Sequence, residues 1–134
     1  MRKKVRVEVV SVRYMDGSEE TTSVISEGVY NPDTGLLMYK TEEEGSVTAV
    51  VIHLFGNITV KMSGSINSEM IFDREKVTTG LYNTPFGRHD ISIRTHEAEH
   101  VSAGEAESIA LRYSLTLGGQ DLGETRMKIK ATYI

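Results

Sequence analysis

The chain contains no cysteine and no tryptophan among its 134 residues, and only 7% of them are aromatic. Without cysteine it cannot form a disulfide framework, a thiolate zinc site or a cysteine nucleophile. It also lacks any apolar run near the ~18 residues that a membrane-spanning helix requires. The basic residues 2–4 lead into alternating charged and apolar residues, not into the apolar core of a signal peptide. We therefore expect a cytoplasmic protein without a membrane partner.

An excess of positive charge is missing as well. The formal net charge is −4 at pH 7, so the chain has no global positive field that would attract nucleic acid. Basic and aromatic residues do not gather on any one strand face. A phosphate-binding glycine loop is also absent, because Gly118-Gly119 precedes a strand pattern and not a helix. These absences argue against a nucleic-acid partner and against a nucleotide site.

What the chain does have is alternation of apolar and polar residues, which continues from Val5 almost to Ile134. This period of two predicts strands with one buried face, and Gly, Asn and Asp turns separate the segments. No linker or repeat divides residues 1–134, and their number suits one domain. Short turns leave little room for crossovers, so sequential strands are expected to pair. The sequence therefore predicts a single all-β domain, a closed up-and-down meander barrel of about 8–10 antiparallel strands.

Two segments receive a more specific interpretation. In the first strand, the apolar parity switches between Val9 and Val10, which predicts a β-bulge. Residues 96–107 are rich in good helix formers, so residues 97–103 could form a short helix that ends at Gly104. The alternative is that this segment ends the eighth strand, turns at Ala103-Gly104 and begins the ninth. The pattern leaves both alternatives open.

The interior of the barrel is the place where a ligand could bind. A barrel of about eight strands is either filled by its own side chains or holds one small ligand, and strand parity does not decide between these states. If a small apolar or amphipathic molecule binds, we expect inward-facing side chains of the lumen, together with Tyr82 and Phe86 near the rim, to contact it. The candidate ligand-binding residues are Met70, Phe72, Tyr82, Phe86, Tyr113, Met127 and Tyr133.

The fourth strand is apolar on both of its faces. Alternate residues form these faces: Val47, Ala49, Val51 and Phe55 on one, and Val50, Ile52 and Leu54 on the other. Only one face can look into the lumen, and natural monomers rarely leave the other bare. We therefore predict a homodimer whose interface contains Val50, Ile52 and Leu54. The alternative is that a loop or the N-terminal residues cover this stripe.

The histidines are the main candidates for chemistry. His96 and His100 have the spacing of two metal ligands on a helix, but on a strand they would lie ~13 Å apart and could not share a metal. His89-Asp90 could form an oriented base, yet no activated Ser or Thr nucleophile accompanies it. His53 lies in the very apolar fourth strand and fits a packed or interface position. We expect no catalytic residues, no metal site, no cofactor and no enzyme activity.

Several segments occur in a characteristic order. They are Met70-Ile71-Phe72, Tyr82-Asn83-Thr84-Pro85-Phe86-Gly87, Ile91-Ser92-Ile93-Arg94-Thr95, Leu111-Arg112-Tyr113-Ser114-Leu115 and Gly118-Gly119-Gln120. This order resembles the YwiB-like family of small bacterial proteins, a group with a domain of unknown function and a calycin-like β-barrel. The resemblance covers nearly the whole chain, and the element around Pro85 is its most specific part. It implies a cytoplasmic barrel related in shape to lipocalins and fatty-acid-binding proteins. It brings no catalytic residues, and the Gly-x-Trp signature of lipocalins is absent.

Two functions agree with these observations. The first is a non-enzymatic barrel that binds a small apolar or amphipathic molecule in its lumen. The alternative is a structural or protein-interaction module with a filled core, which acts through a homodimer or its outer surface.

Overall fold

The computed structural model describes residues 1–43, 45–64 and 66–134, and this part of the chain is all-β. Within it, no helix has the length and apolarity needed to cross a membrane. Each strand pairs with its sequence neighbours in antiparallel orientation, and the first strand closes the barrel against the last. This confirms the predicted closed up-and-down barrel. The strands are β1 (Lys3–Met15), β2 (Ser18–Asn31), β3 (Leu36–Glu43), β4 (Ser46–His53), β5 (Ile58–Ser63), β6 (Asn67–Phe72), β7 (Thr78–Thr84), β8 (Gly87–Ala103), β9 (Ala106–Leu117) and β10 (Gln120–Tyr133).

The hairpin turns form at the positions that the turn residues predict. Between β2 and β3, the Asn31 carbonyl accepts a hydrogen bond from the Gly35 amide at 2.8 Å, and the Asn31 side chain accepts one from Asp33 at 3.0 Å. Gly35 has a φ of 72°, a conformation that favours glycine. An added Cβ there would meet the Phe55 ring at 2.7 Å, so this outward aromatic side chain packs on the turn.

The predicted bulge in β1 is wrong. The register of β1 with β10 runs without a shift through Val9↔Ile129 and Val10↔Lys128. Val9 faces the lumen, whereas Val10 is exposed on the outer surface. The apparent switch in parity arises because apolar β-branched residues also occupy outward positions of this strand. The register instead shifts in β8, between Thr95 and Glu97, and in β10, between Asp121 and Glu124.

Residues 97–103 belong to a strand and not to a helix. They continue β8 and pair with β9 from Glu97↔Arg112 to Ala103↔Ala106. A helix here would remove one neighbour from this half of β9 and expose its backbone groups, which is more costly than the small loss from placing helix formers in a strand. Pairing within the barrel therefore overrides local propensity.

The turns lie alternately at the two ends of the barrel, because consecutive strands run in opposite directions. Both termini and the turns at 32–35, 54–57, 73–77 and 104–105 lie at one end, which we call the closed end. The turns that contain Gly17 and Gly118 lie at the other, the open end. Apolar side chains fill the lumen on the side of the closed end, and each contributes roughly 1.5–3 kcal/mol by leaving water. The largest fully buried ones are Phe72, Leu37, Ile52, Ile93, Ile109, Leu111, Ile129, Val5 and Val7.

The outward assignment of Val50, Ile52 and Leu54 is wrong, because all three side chains face the lumen. They are only 4%, 0% and 4% exposed, so they cannot form an interface on the outer surface. Ile52 pairs with Leu37 on one side and with Val60 on the other, and both partners are buried core residues. Alternation could not identify the inner face because both faces of β4 are apolar. The neighbouring strands make that choice.

Candidate functional site

A cavity of about 920 Å³ occupies the open end of the barrel. This volume lies within the ~300–1,000 Å³ that small-molecule sites usually have. The packed core separates it from a second cavity of about 720 Å³ at the closed end, whose lining includes Leu54, Phe72 and His100. The residues that line the open-end cavity are Ser11, Arg13, Glu20, Thr22, Thr41, Ser46, Thr48, Met62, Ile66, Ser68, Tyr82, Tyr113 and Thr125.

The cavity arises because inward-facing residues change character along the strands. In β1, the inward positions Val5, Val7 and Val9 belong to the buried core, whereas the next two, Ser11 and Arg13, line the cavity. Short side chains leave space where longer apolar ones would meet across the barrel. Seven of the lining residues are serine or threonine, which donate and accept hydrogen bonds. The walls are thus suited to a ligand with several polar atoms.

Two aromatic rings separate the cavity from the packed core. The centroids of the Phe72 and Tyr113 rings lie 4.7 Å apart, with an angle of 52° between their planes. Burial raises the pKa of Tyr113, and the hydrogen bond with Thr125 and the charge of Arg13 offset this only in part. The Tyr113 hydroxyl therefore stays protonated at physiological pH. It places one polar group on an otherwise apolar floor.

Arg13 supplies a positive charge in the cavity wall. Its Nε and Nη2 atoms donate to the Leu122 carbonyl, at 3.3 and 3.1 Å. Leu122 lies in the irregular segment of β10, next to Gly123, which has a φ of 88°. A Cβ at Gly123 would meet the Tyr14 carbonyl oxygen, so this position requires glycine. The irregular segment of β10 thus aims a carbonyl at Arg13 and orients its guanidinium.

Glu20 carries the opposite charge on the neighbouring strand. Arg13 and Glu20 are register partners in β1 and β2, and both line the cavity. An arginine can bind a carboxylate or phosphate in a fixed geometry, whereas a glutamate accepts hydrogen bonds from hydroxyl or amino groups. The cavity can therefore distinguish the two ends of an amphipathic or zwitterionic molecule.

The candidate ligand-binding residues occupy different environments. Tyr82 and Tyr113 line the cavity, and Phe72 lies beneath its floor. Met70 and Met127 are partly buried against the core, and Tyr133 lies at the closed end. Phe86 is 97% exposed in the turn between β7 and β8. Strand parity did not identify Arg13, Glu20 and the hydroxyl residues, because it was applied only to bulky apolar side chains. Serine and threonine at inward positions were the sequence signal that could have indicated this cavity.

The closed end contains a buried carboxylate, Glu107, which is only 3% exposed. It accepts hydrogen bonds from His100 Nε2 at 2.8 Å, from Tyr133 at 2.9 Å and from Ser102. Burial alone raises the pKa of Glu107, but the three hydrogen bonds and the charge of His100 outweigh it, so that the pKa lies below its ordinary value. Burial, together with the hydrogen bond to Glu107, raises the pKa of Tyr133 to about 12. The carboxylate is therefore ionised at neutral pH and joins β8, β9 and β10.

His96 and His100 do not form a common site. His96 Nε2 lies 2.8 Å from Ser114 Oγ, whereas His100 binds Glu107 at the closed end. Over the ranges that the structure describes, no group of three or more His, Asp or Glu residues could hold a metal ion. The two histidines thus take part in separate hydrogen bonds between β8 and β9.

Comparison with known proteins identifies the family. The structure is similar to the crystal structure of the YwiB protein from Bacillus subtilis, with a TM-score of 0.87 and 20% sequence identity, over 99% of this chain and 93% of that chain. At this level of identity the similarity shows the fold. Among curated protein sequences, none matches the chain. The family model described as Domain of unknown function (DUF1934) matches residues 7–129, which is most of the sequence. The predicted resemblance is therefore confirmed, and the chain belongs to the DUF1934 family.

Proposed function

We propose that this protein is a non-enzymatic barrel that binds a small amphipathic molecule in the cavity at its open end. The observation that carries the proposal is the cavity itself, which combines an aromatic floor with hydroxyl-bearing walls. Apolar parts of the ligand rest on Tyr113 and Met62, which face the same space. Polar parts exchange hydrogen bonds with the serine and threonine side chains. We further expect the protein to act in the cytoplasm.

An anionic group on the ligand is favoured by Arg13. Its guanidinium is oriented by the Leu122 carbonyl, and a preorganised donor loses little entropy when it binds an anion. A wholly apolar ligand would instead cover polar wall groups such as Thr22 and Thr41 without offering them a hydrogen bond. The ligand class is therefore an amphipathic molecule with a carboxylate or phosphate.

Thermal unfolding with a matched ligand panel tests this proposal. The panel contains medium-chain carboxylates, the alcohols of equal length and the parent alkanes, each added to the full chain. A ligand at about 100 times its Kd stabilises the folded state by about 2.7 kcal/mol, so binding raises the Tm measurably. We expect stabilisation to decrease from carboxylates to alcohols to alkanes. If no amphipathic ligand changes the Tm and native mass spectrometry finds no co-purified molecule, the proposal is wrong.

Filling the cavity should weaken ligand binding without unfolding the protein. In Ser11→Phe, an aromatic ring extends from β1 into the space that the ligand needs. Calorimetric titration with the best ligand of the panel is expected to show at least about tenfold weaker binding, because ligand and ring cannot share one volume. The matched control is Ser108→Phe, which adds the same ring on the exposed outer face of β9. Equal affinity in both variants would contradict the location of the site.

Arg13→Gln should change ligand selectivity more than overall affinity. The variant keeps the length of the side chain to a large extent but removes the charge. We expect the affinity for a carboxylate to fall by about tenfold, while the affinity for the alcohol of equal length changes little. Titrations of both ligands against both proteins give the ratio directly. An equal loss for carboxylate and alcohol would show that Arg13 acts on the shape of the cavity and not on charge.

A further inference from the structure

The wall of the barrel is incompletely paired at the seam between β2 and β3. These strands pair only from Gly28↔Tyr39 to Asn31↔Leu36, although β2 begins at Ser18. On its other side, β2 pairs with β1 without interruption from Ser18 to Tyr30. Among the residues that the structure describes, 18–27 of β2 therefore have a strand neighbour on one side only. We call this segment the free edge.

The seam ends for a local reason. At Gly28 the two backbones lie so close that an added Cβ would meet the Met38 carbonyl oxygen. Beyond that point, the Ser26 hydroxyl donates to the Lys40 carbonyl at 2.5 Å. A side chain thus takes the place of a backbone donor, and the strands diverge. The backbone N–H and C=O groups that β2 directs away from β1 then lack a partner strand.

The free edge is accessible and regular. Residues 18–23 are all exposed, and Ile25 is 66% exposed on the outer face. The register with β1 shows no shift along the strand, and β2 contains no proline. At about 3.3 Å per residue, its ten residues extend over roughly 33 Å. Bulges and prolines are common protections against edge pairing, and this edge has neither.

The charges on the free edge indicate what kind of strand it accepts. Glu19, Glu20 and Glu27 lie on it, and β2 contains no lysine or arginine. In the part of the chain that the structure describes, none of these three carboxylates forms an ion pair. A second copy placed edge to edge would bring like charges together, which is unfavourable across a strand pair. A cationic strand is complementary.

We propose that the free edge binds an extended, lysine- or arginine-containing segment of another protein by β-strand addition. Backbone hydrogen bonds supply affinity for any extended segment, and side chains supply selectivity. Glu19, Ile25 and Glu27 share the outer face of β2. The complementary segment therefore carries a basic residue at each end and an apolar residue opposite Ile25. Glu20 and Thr22 of the same segment line the cavity, so binding to the free edge is measured in the absence of a cavity ligand.

The test uses the full chain, labelled with ¹⁵N, and a synthetic nonapeptide with lysine at its first and last positions, valine at its third and threonine elsewhere. Paired antiparallel with residues 19–27, this peptide places lysine opposite Glu27 and Glu19 and valine opposite Ile25. Amide hydrogen exchange is measured by NMR with and without the peptide. In the free protein, we expect alternate amides of residues 18–27 to exchange fast. The peptide is expected to slow exchange at these amides by at least about tenfold, since each one gains a hydrogen-bond acceptor.

The double variant Glu19→Gln/Glu27→Gln tests the role of charge. Both side chains are exposed, so the fold is retained. The peptide Kd is expected to rise by about tenfold at low salt, because two cross-strand charge pairs are lost. The control Glu75→Gln/Glu99→Gln removes the same charge from exposed positions away from the free edge and should leave the Kd unchanged.

Two outcomes would overturn the proposal. An N-methylated form of the peptide keeps every side chain but cannot donate backbone hydrogen bonds; if it binds equally well, only charge attraction operates. If the alternate amides are already protected in the free protein, the edge has a partner. Light scattering then shows whether that partner is a second copy of this chain: if the protected protein is a dimer, the edge pairs with the second copy. Both measurements are made without a cavity ligand, so neither result tests the proposed ligand-binding function.

Discussion

Replacing Glu107 with alanine is expected to lower the free energy of unfolding at pH 7 by about 3–5 kcal/mol. Glu107 accepts hydrogen bonds from His100, Ser102 and Tyr133, so its removal leaves these donors without an acceptor in a buried place. Such groups carry the full cost of lost hydration. Urea denaturation, followed by circular dichroism at constant pH, measures the change.

The neighbouring acidic residue gives the matched control. Glu105 has an exposed side chain and contributes to the structure through its backbone carbonyl, which accepts a bond from the Tyr133 amide at 2.9 Å. Glu105→Ala should therefore change stability by less than about 0.5 kcal/mol. A loss at Glu107 as small as that at Glu105 would mean that the buried network does not stabilise the barrel.

Glu107 also predicts a pH dependence. Its pKa in the folded protein lies below the ordinary value of 4.5, so the unfolded chain binds this proton more readily. The stabilisation is present above the ordinary value and is lost as the pH falls through the lowered one. We expect the wild-type protein to lose stability more steeply below pH 4.5 than Glu107→Gln does. Parallel slopes in a pH series of urea titrations would contradict this.

Ile52→Ala is expected to destabilise the barrel by about 2–5 kcal/mol, because it leaves a cavity in the packed half. The side chain is fully buried and lies between Leu37 and Val60 on the adjoining strands. The adjacent Val51 faces outward, so Val51→Ala should cost less than about 1 kcal/mol. Both values follow from the same urea titration.

This pair of variants tests which face of β4 is inside. A larger loss at Val51 than at Ile52 would reverse the assignment and restore the predicted outer position of Ile52. Equal losses would mean that an undetected partner covers the outer face. Sedimentation of Val51→Ala and the wild-type protein at matched concentrations would then identify the partner as a second copy if their association differs.

Much of the fold could be predicted from the sequence because strands and turns are local features. Alternation identified the strands, and Asn31 and Gly35 marked a hairpin that the structure contains. The inner face of β4 could not be identified, since Val51 and Ile52 are equally apolar and only the neighbours of the strand distinguish them. The predicted bulge at Val9 failed because parity records side-chain type and not register. The glycine at position 123, an isolated glycine inside a strand, was the better signal.

The candidate site was less accessible to sequence reasoning. Arg13 and Glu20 are neighbours only because β1 and β2 pair in one register, and a shift by one residue would place their side chains on opposite faces of the sheet. His100 and Glu107 are seven residues apart in the chain, and they meet because β8 and β9 turn back on each other at Gly104. Such contacts depend on the closed barrel as a whole.

The change from valine to serine and threonine along the inward positions also has an evolutionary consequence. The packed half of the barrel supplies most of the folding stability, whereas the hydroxyl residues at the open end contribute little to the core. Substitutions at those positions can therefore alter recognition at small thermodynamic cost. Members of one family could then diverge in what they bind while they keep the same barrel, and comparison of their open-end residues would show that divergence before any ligand is identified.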